Sequence, residues 1–207
     1  VFVPVAHDEL MPALLEGRGD IVAAGTLIAD WRREQVDFTN PTRTGIAVIP
    51  VTGPGVPPLA GALDLAGREI YLRPSVAPKR VVAKFNADLA AAGKPPVRIR
   101  PAPEVLSDED ILEMVAAGLV PMTLVEDHIA AFWQQVFPDL VLHPAAAVRT
   151  DAATGMMVRK DSPLLLAELN AFIARYPEGS LTRNVLLQKY LKSVKYAKPA
   201  TSEADLK

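Results

Sequence analysis

The segment TGPGVPPLAG, Thr52 to Gly61, is dense in glycine and proline. Such a stretch suits neither a helix interior nor a central strand, so it marks a boundary between two parts of the chain. Before it, VFVPV (Val1–Val5) reads as a buried strand, which implies that the chain begins inside a fold. Asp8 can cap a helix running to Glu16 and ended by Gly17 and Gly19. DIVAAG is then a strand, Ala29 to Gln35 a short helix and TGIAVIPV a strand. After the boundary the alternation restarts. REIYLR, VRIR and MTLV are strands, separated by helices over Val76 to Ala92 and Ser107 to Ala117, the second with Ser107 and Asp110 in capping-box spacing. A helix over Glu126 to Val136, a strand TGMMVRK, a helix over Leu164–Tyr176 behind Asp161-Ser162-Pro163, and a last amphipathic helix over Leu181 to Leu191 complete the pattern. From Ser193 the periodicity is lost, as in a linker. Two α/β units joined by a Gly/Pro crossing imply mixed or parallel sheets flanked by helices, in two lobes with a cleft between them.

Composition narrows the function classes. The 22 Lys+Arg residues are scattered among 24 Asp+Glu, for a net charge of −2, so no basic stripe points to nucleic acid. No apolar run reaches the roughly 20 residues needed to span a bilayer. There is no cysteine in the 207 residues, which excludes disulfides, a thiol nucleophile and Cys-ligated metal. Glu126, Asp127 and His128 imitate a metal cluster, but sequence neighbours do not face one another on a helix, so neither metal nor cofactor is expected. His7 and His143 have no catalytic partner in view and read as surface residues. The RGD of Arg18 to Asp20 reads as a helix-to-strand turn.

Ligands of such sheets sit outside the carboxyl ends of strands. GRGDIVAAGTLIADWRREQVDF meets that condition: a strand, a Gly25-Thr26 corner, then Asp30-Trp31-Arg32-Arg33 in the first turn of the next helix. A guanidinium there forms a site for a carboxylate. Arg32 could instead pair with Asp37 or Glu34 on a solvated face, and Arg33 is the more exposed of the two. Trp133 reads as packing, and Trp31 either as packing or as part of the cleft lining.

LLEGRGDIVAAGTLIADWRREQVDFTNP resembles the signature of the family 3 periplasmic solute-binding proteins, and the similarity continues through DLAGREIYLRPS, LVEDHIAAF and VRKDSPLLLAELNAFI. The resemblance implies a two-lobed type II periplasmic-binding fold, with residues 1–51 and 150–194 as lobe 1, 52–149 as lobe 2 and 195–207 as a linker. The family's first strand and helix, with their ligand-stacking aromatics, are then absent from this chain. The resemblance also implies that Arg32 clasps a ligand's α-carboxylate and that Asp127 takes its α-ammonium. Ser75 would add a hydroxyl or backbone contact, with Gly25, Thr26 and Trp31 beside them. Leu27 stands where many amino-acid binders carry Thr or Ser, and Pro121 where the family usually has aspartate.

VTGPGVPPLAGALDLAGREIYLRPS, the segment from AAGKPP to AAFW, and LLQKYLKSVKYAKPAT are similar to the binding modules of membrane-bound lytic murein transglycosylase F and its relatives. That similarity implies a non-catalytic periplasmic module that senses amino acids or cell-wall peptides and regulates a C-terminal lysozyme-like domain. The alternatives are an amino-acid receptor of an ABC transporter and a dehydratase acting on cyclohexadienyl acids.

Overall fold

The computed structural model of the chain describes residues 1–194 and 197, without the side chains of residues 77, 78 and 191. A 3-10 turn at His7–Glu9 leads into α1 (Leu10–Leu15), and a one-turn α2 (Asp30–Arg33) precedes the short β1 (Val36–Phe38) and the long β2 (Arg43–Thr52). Then come β3 (Glu69–Leu72), α3 (Ala77–Ala91), β4 (Arg98–Pro101), α4 (Asp108–Ala116), β5 (Met122–Glu126) and α5 (Asp127–Trp133). The chain continues through β6 (Val141–Leu142), β7 (Arg149–Thr154), β8 (Met157–Arg159), α6 (Pro163–Arg175) and α7 (Leu181–Leu187), the last running into a π-helical turn at Gln188–Lys192.

β2 organises the molecule. It pairs antiparallel with β5 along Val48–Thr52, with β7 along Arg43–Val48, and with β6 at Val51 and Thr52. Pro50 is tolerated in this central strand because its carbonyl, and so its missing N–H, faces the gap between the β7 and β6 registers, where the His143 N–H donates to the carbonyl at 3.0 Å. Beside this sheet, β3 and β4 pair in parallel, joined by the α3 crossover, and the Thr123 hydroxyl donates to the Tyr71 carbonyl at 2.9 Å.

The period-2 alternation of the strands splits the apolar side chains between two cores. Ile46 and Val48 of β2, Ile70 and Leu72 of β3, and Met122 and Leu124 of β5 pack with Val82 and Leu89 of α3. Ile49, Val51, Tyr71 and Val125 point the other way, onto Ile111, Leu112 and Val115 of α4 and Ala130 of α5. The result is helix, sheet, helix. Gly53 sits where β2 leaves the sheet against α4: an added Cβ would lie 2.2 Å from the Val115 carbonyl oxygen, so only glycine fits. Ser107 and Asp110 form the expected capping box, the Ser107 N–H donating to Asp110 at 2.7 Å.

A third, smaller core holds Leu14, Val22, Val36, Phe38 and Met157, beneath the antiparallel pair β1–β8. α6 and α7 contain no buried residue among those described.

Several expectations need correction. Val1–Val5 is not a strand: Val1 and Phe2 are fully exposed, and no described strand pairs with the segment. DIVAAG is not a strand of the sheet: its backbone pairing is a bridge from Val22 to Met157, with a second from Leu27 to Thr154 just after it, and Asp20 accepts from Arg159 at 2.8 Å. Asp8 lies inside the 3-10 turn rather than capping a helix. Val36–Phe38, which carries no alternation long enough to be read, is a strand because Val158 and its neighbours pair with it. The predicted linker over 195–207 falls, except for Ala197, outside the described residues. Among the described residues no helix is long and apolar enough to cross a membrane.

Candidate functional site

α2 is too short to expose much of itself, and it turns one arginine inward. Arg32 is 5% exposed, while Arg33 remains at the surface, its guanidinium 5.8 Å from the Phe38 ring. Arg32 Nη1 donates to the Leu27 carbonyl at 2.8 Å, and its guanidinium carbon lies 4.5 Å from the Trp31 ring centroid. Among the described residues it has no ion pair, so neither Asp37 nor Glu34 neutralises it. Burial pulls its pKa down to about 10, with the charge of Arg80 acting the same way and Glu126 opposing both. It remains a cation at neutral pH.

Arg32 opens onto a cavity of about 120 Å³. Gly25, Thr26 and Leu27 line it from one stretch of chain; Leu72 of β3, Arg73 and Val76 just beyond it, Asp108 and Ile111 of α4, and Thr123 to Glu126 of β5 line it from another. Gly25 turns the corner at φ +62°, a left-handed conformation that few other residues adopt cheaply. That turn sets Thr26 6% exposed, with its hydroxyl lacking any partner.

Two further orphaned groups face the same space. Arg73 is 6% exposed and pairs through Nη2 with Asp108 Oδ1, but its Nε–H has no acceptor. His7 Nδ1 is also buried and unpartnered, and burial, followed by the charge of Arg73, holds its pKa below the ordinary value. Glu126, the last residue of β5, has its carboxyl pushed up to about 7, first by burial and then by the charge of Asp108. Buried polar groups are normally hydrogen-bonded, so three groups without a protein partner around one cavity leave donors and acceptors free to meet water or a ligand there. Among the described residues no group of three or more His, Cys, Asp or Glu side chains gathers as a metal site.

The model of the bacterial extracellular solute-binding proteins, family 3, matches residues 1–193. The chain belongs to this family. Among solved structures, the substrate-binding protein of an amino acid ABC transporter is 21% identical, with a TM-score of 0.75 over 92% of this chain and 79% of that one. An ancestral amino-acid-binding protein, a precursor of cyclohexadienyl dehydratase, is 22% identical, with a TM-score of 0.75 over 93% and 78%. An ancestral arginine-binding protein bound to arginine is 21% identical, with a TM-score of 0.75 over 92% and 79%. These likenesses establish the mixed α/β, type II periplasmic-binding fold. No curated protein matches the chain.

For this family 3 protein, the residues singled out in the sequence divide into two sets. Arg32, Gly25 and Thr26 come together on the cavity. Asp127, Ser75 and Trp31 lie outside its lining. Asp127 begins α5 and accepts from the His128 N–H at 2.9 Å, and the acid that reaches the cavity is Glu126, one residue earlier at the strand's end. Ser75 is bound to Glu104, its N–H donating at 2.8 Å and its hydroxyl donating to the other carboxylate oxygen. Trp31 turns to a separate groove of about 710 Å³ between α2 and α3, where Arg80 lies 4.3 Å from its ring. His7 and His143 are not surface residues: His7 lines the cavity, and His143 is 5% exposed, bonded to the Thr52 hydroxyl at 2.9 Å. Trp133 packs as expected, stacked on Phe137.

Proposed function

We propose that the chain is a periplasmic receptor that binds a free amino acid without turning it over and serves an ABC-type transporter. The observation carrying this reading is the sharing of one cavity by Arg32, a buried cation with no ion pair, and Glu126, an acid held near neutrality. An α-amino acid carries the complementary pair of charges. Its carboxylate takes the guanidinium fork of Arg32, its ammonium takes Glu126, and Thr26 and the Gly25 corner add hydrogen bonds. A small cavity favours one amino acid over a peptide.

The neighbours named for amino-acid transport and arginine binding support the receptor over a regulatory module attached to a lysozyme-like transglycosylase domain. Lobe 1 in this reading is residues 1–51 and 150–194, and lobe 2 is residues 52–149. Asp127, on this account, positions the start of α5 rather than meeting the ligand.

The test is a thermal-shift panel of L-amino acids on the wild type and on Arg32→Met. A ligand at about 100 times its Kd adds about 2.7 kcal/mol of stability, which raises Tm by several degrees in a protein of this size. The shift is expected in the wild type and absent from the variant. An equal shift in both would remove Arg32 from the site.

The pH dependence comes from Glu126, whose folded pKa of about 7 lies above the ordinary 4.5. Between those values the folded protein holds a proton that the unfolded chain has released, so this group's contribution to stability declines as pH rises through that window. Ligand affinity runs the other way, because the ammonium needs the ionised carboxylate. Calorimetry from about pH 5.5 to about pH 8 should show affinity rising with pH, and Glu126→Gln should abolish the rise.

A further inference from the structure

We infer that Arg73 selects the ligand's side chain, favouring amino acids that end in a neutral hydrogen-bond acceptor, as a carboxamide does, and rejecting basic ones. This rests on the amino-acid reading above and assigns a subsite that Arg32 and Glu126 leave open. Arg73 follows β3 directly, lies on the cavity wall and is nearly as buried as Arg32. Its charge is already answered by Asp108 through Nη2, while its Nε–H is buried without an acceptor.

An N–H with no protein acceptor on a cavity wall is answered by water or by a ligand's acceptor, and a ligand that displaces the water without replacing its bond loses affinity. With the guanidinium neutralised by Asp108, a carbonyl oxygen is sufficient and a second full negative charge must compete with Asp108. Around Arg73, Leu72, Val76 and Ile111 present apolar surface that suits the methylenes of a side chain. His7, whose neutral form is favoured by burial and by Arg73, adds a second unpartnered nitrogen. A lysine or arginine side chain in the same place would bring a cation against Arg73 and offer the Nε–H no acceptor. Structural neighbours were solved with arginine bound and, in the case of an ancestral arginine-binding protein, with glutamine bound, so similarity of fold by itself does not set the preference.

The experiment is isothermal titration calorimetry on the full chain at about pH 8, where Glu126 is ionised, with L-glutamine, L-glutamate and L-arginine. Wild type should bind glutamine about tenfold or more tightly than arginine, and Arg73→Met should remove most of that preference, since a lost hydrogen bond to a charged donor is about tenfold or more in affinity. Asp108→Asn keeps Arg73 and its packing but removes the competing charge, so it should improve glutamate relative to glutamine. Thermal melts establish that both variants fold. If arginine binds wild type as tightly as glutamine, or the preference survives Arg73→Met, the inference is overturned while the receptor reading stands, provided binding still depends on Arg32. If none of the three ligands binds while another amino acid of the thermal-shift panel does, this inference is overturned and the receptor reading stands; if the whole panel fails, both fall.

Discussion

α4 and α6 are both leucine-bearing helices of similar pattern, yet their fates in the fold differ. On α4, Ile111, Leu112 and Val115 are at most 3% exposed, locked against the β2 sheet. On α6, the run Leu164-Leu165-Leu166 and Phe172 bury nothing completely, and Leu164 is 83% exposed. The same contrast separates the body around β2, with its two extensive cores, from the corner around β1 and β8, with its five-residue core. Apolar content makes burial possible; a facing surface makes it happen. The stabilising free energy of this chain is therefore concentrated around β2, and apolar residues on α6 contribute little to it.

The sharpest way to break that contrast is Leu112→Ala, which empties a fully buried site and should cost about 2 to 5 kcal/mol in urea unfolding. A loss below about 1 kcal/mol would mean that the body is no better packed than the corner. Next in size, Gly53→Ala drives a methyl into the Val115 carbonyl and should cost about 1 to 3 kcal/mol, read in the same assay. Ser107→Ala removes one half of the capping box at the start of α4 and should cost about 1 kcal/mol. Smallest of all, Leu164→Ser on α6 should stay within about 0.5 kcal/mol of wild type. A larger loss there would show that α6 is covered in solution.

The body is legible in the sequence because each of its elements carries its own punctuation. β3, α3, β4, α4 and β5 fall close to their expected ranges, since alternation, the Ser107 cap and the glycines just past the helices are local signals. The corner is not, because its strands depend on partners far along the chain. β1 needs β8, and DIVAAG needs Met157. The site divides along the same line. Arg32 and its Gly-Thr corner are readable from a contiguous stretch. Glu126 hides behind its neighbour Asp127, since one step across a strand-to-helix junction decides which of two adjacent acids turns inward. Arg73 reads as the charged end of a strand, and His143 as a loop residue beside a proline. What identifies both is the company they keep across the fold, Asp108 for one and Thr52 for the other.

Trp31 touches two guanidinium groups at once, Arg32 of α2 and Arg80 of α3, at 4.5 and 4.3 Å. The chain has two tryptophans, and the other, Trp133, rests on Phe132 and Phe137 away from the cavity. The fold thus carries an optical gauge beside the site. Any ligand that draws Arg32 toward its own carboxylate changes the cation over the Trp31 indole, so its ultraviolet emission should report occupancy against the constant signal of Trp133, with no dye or label attached.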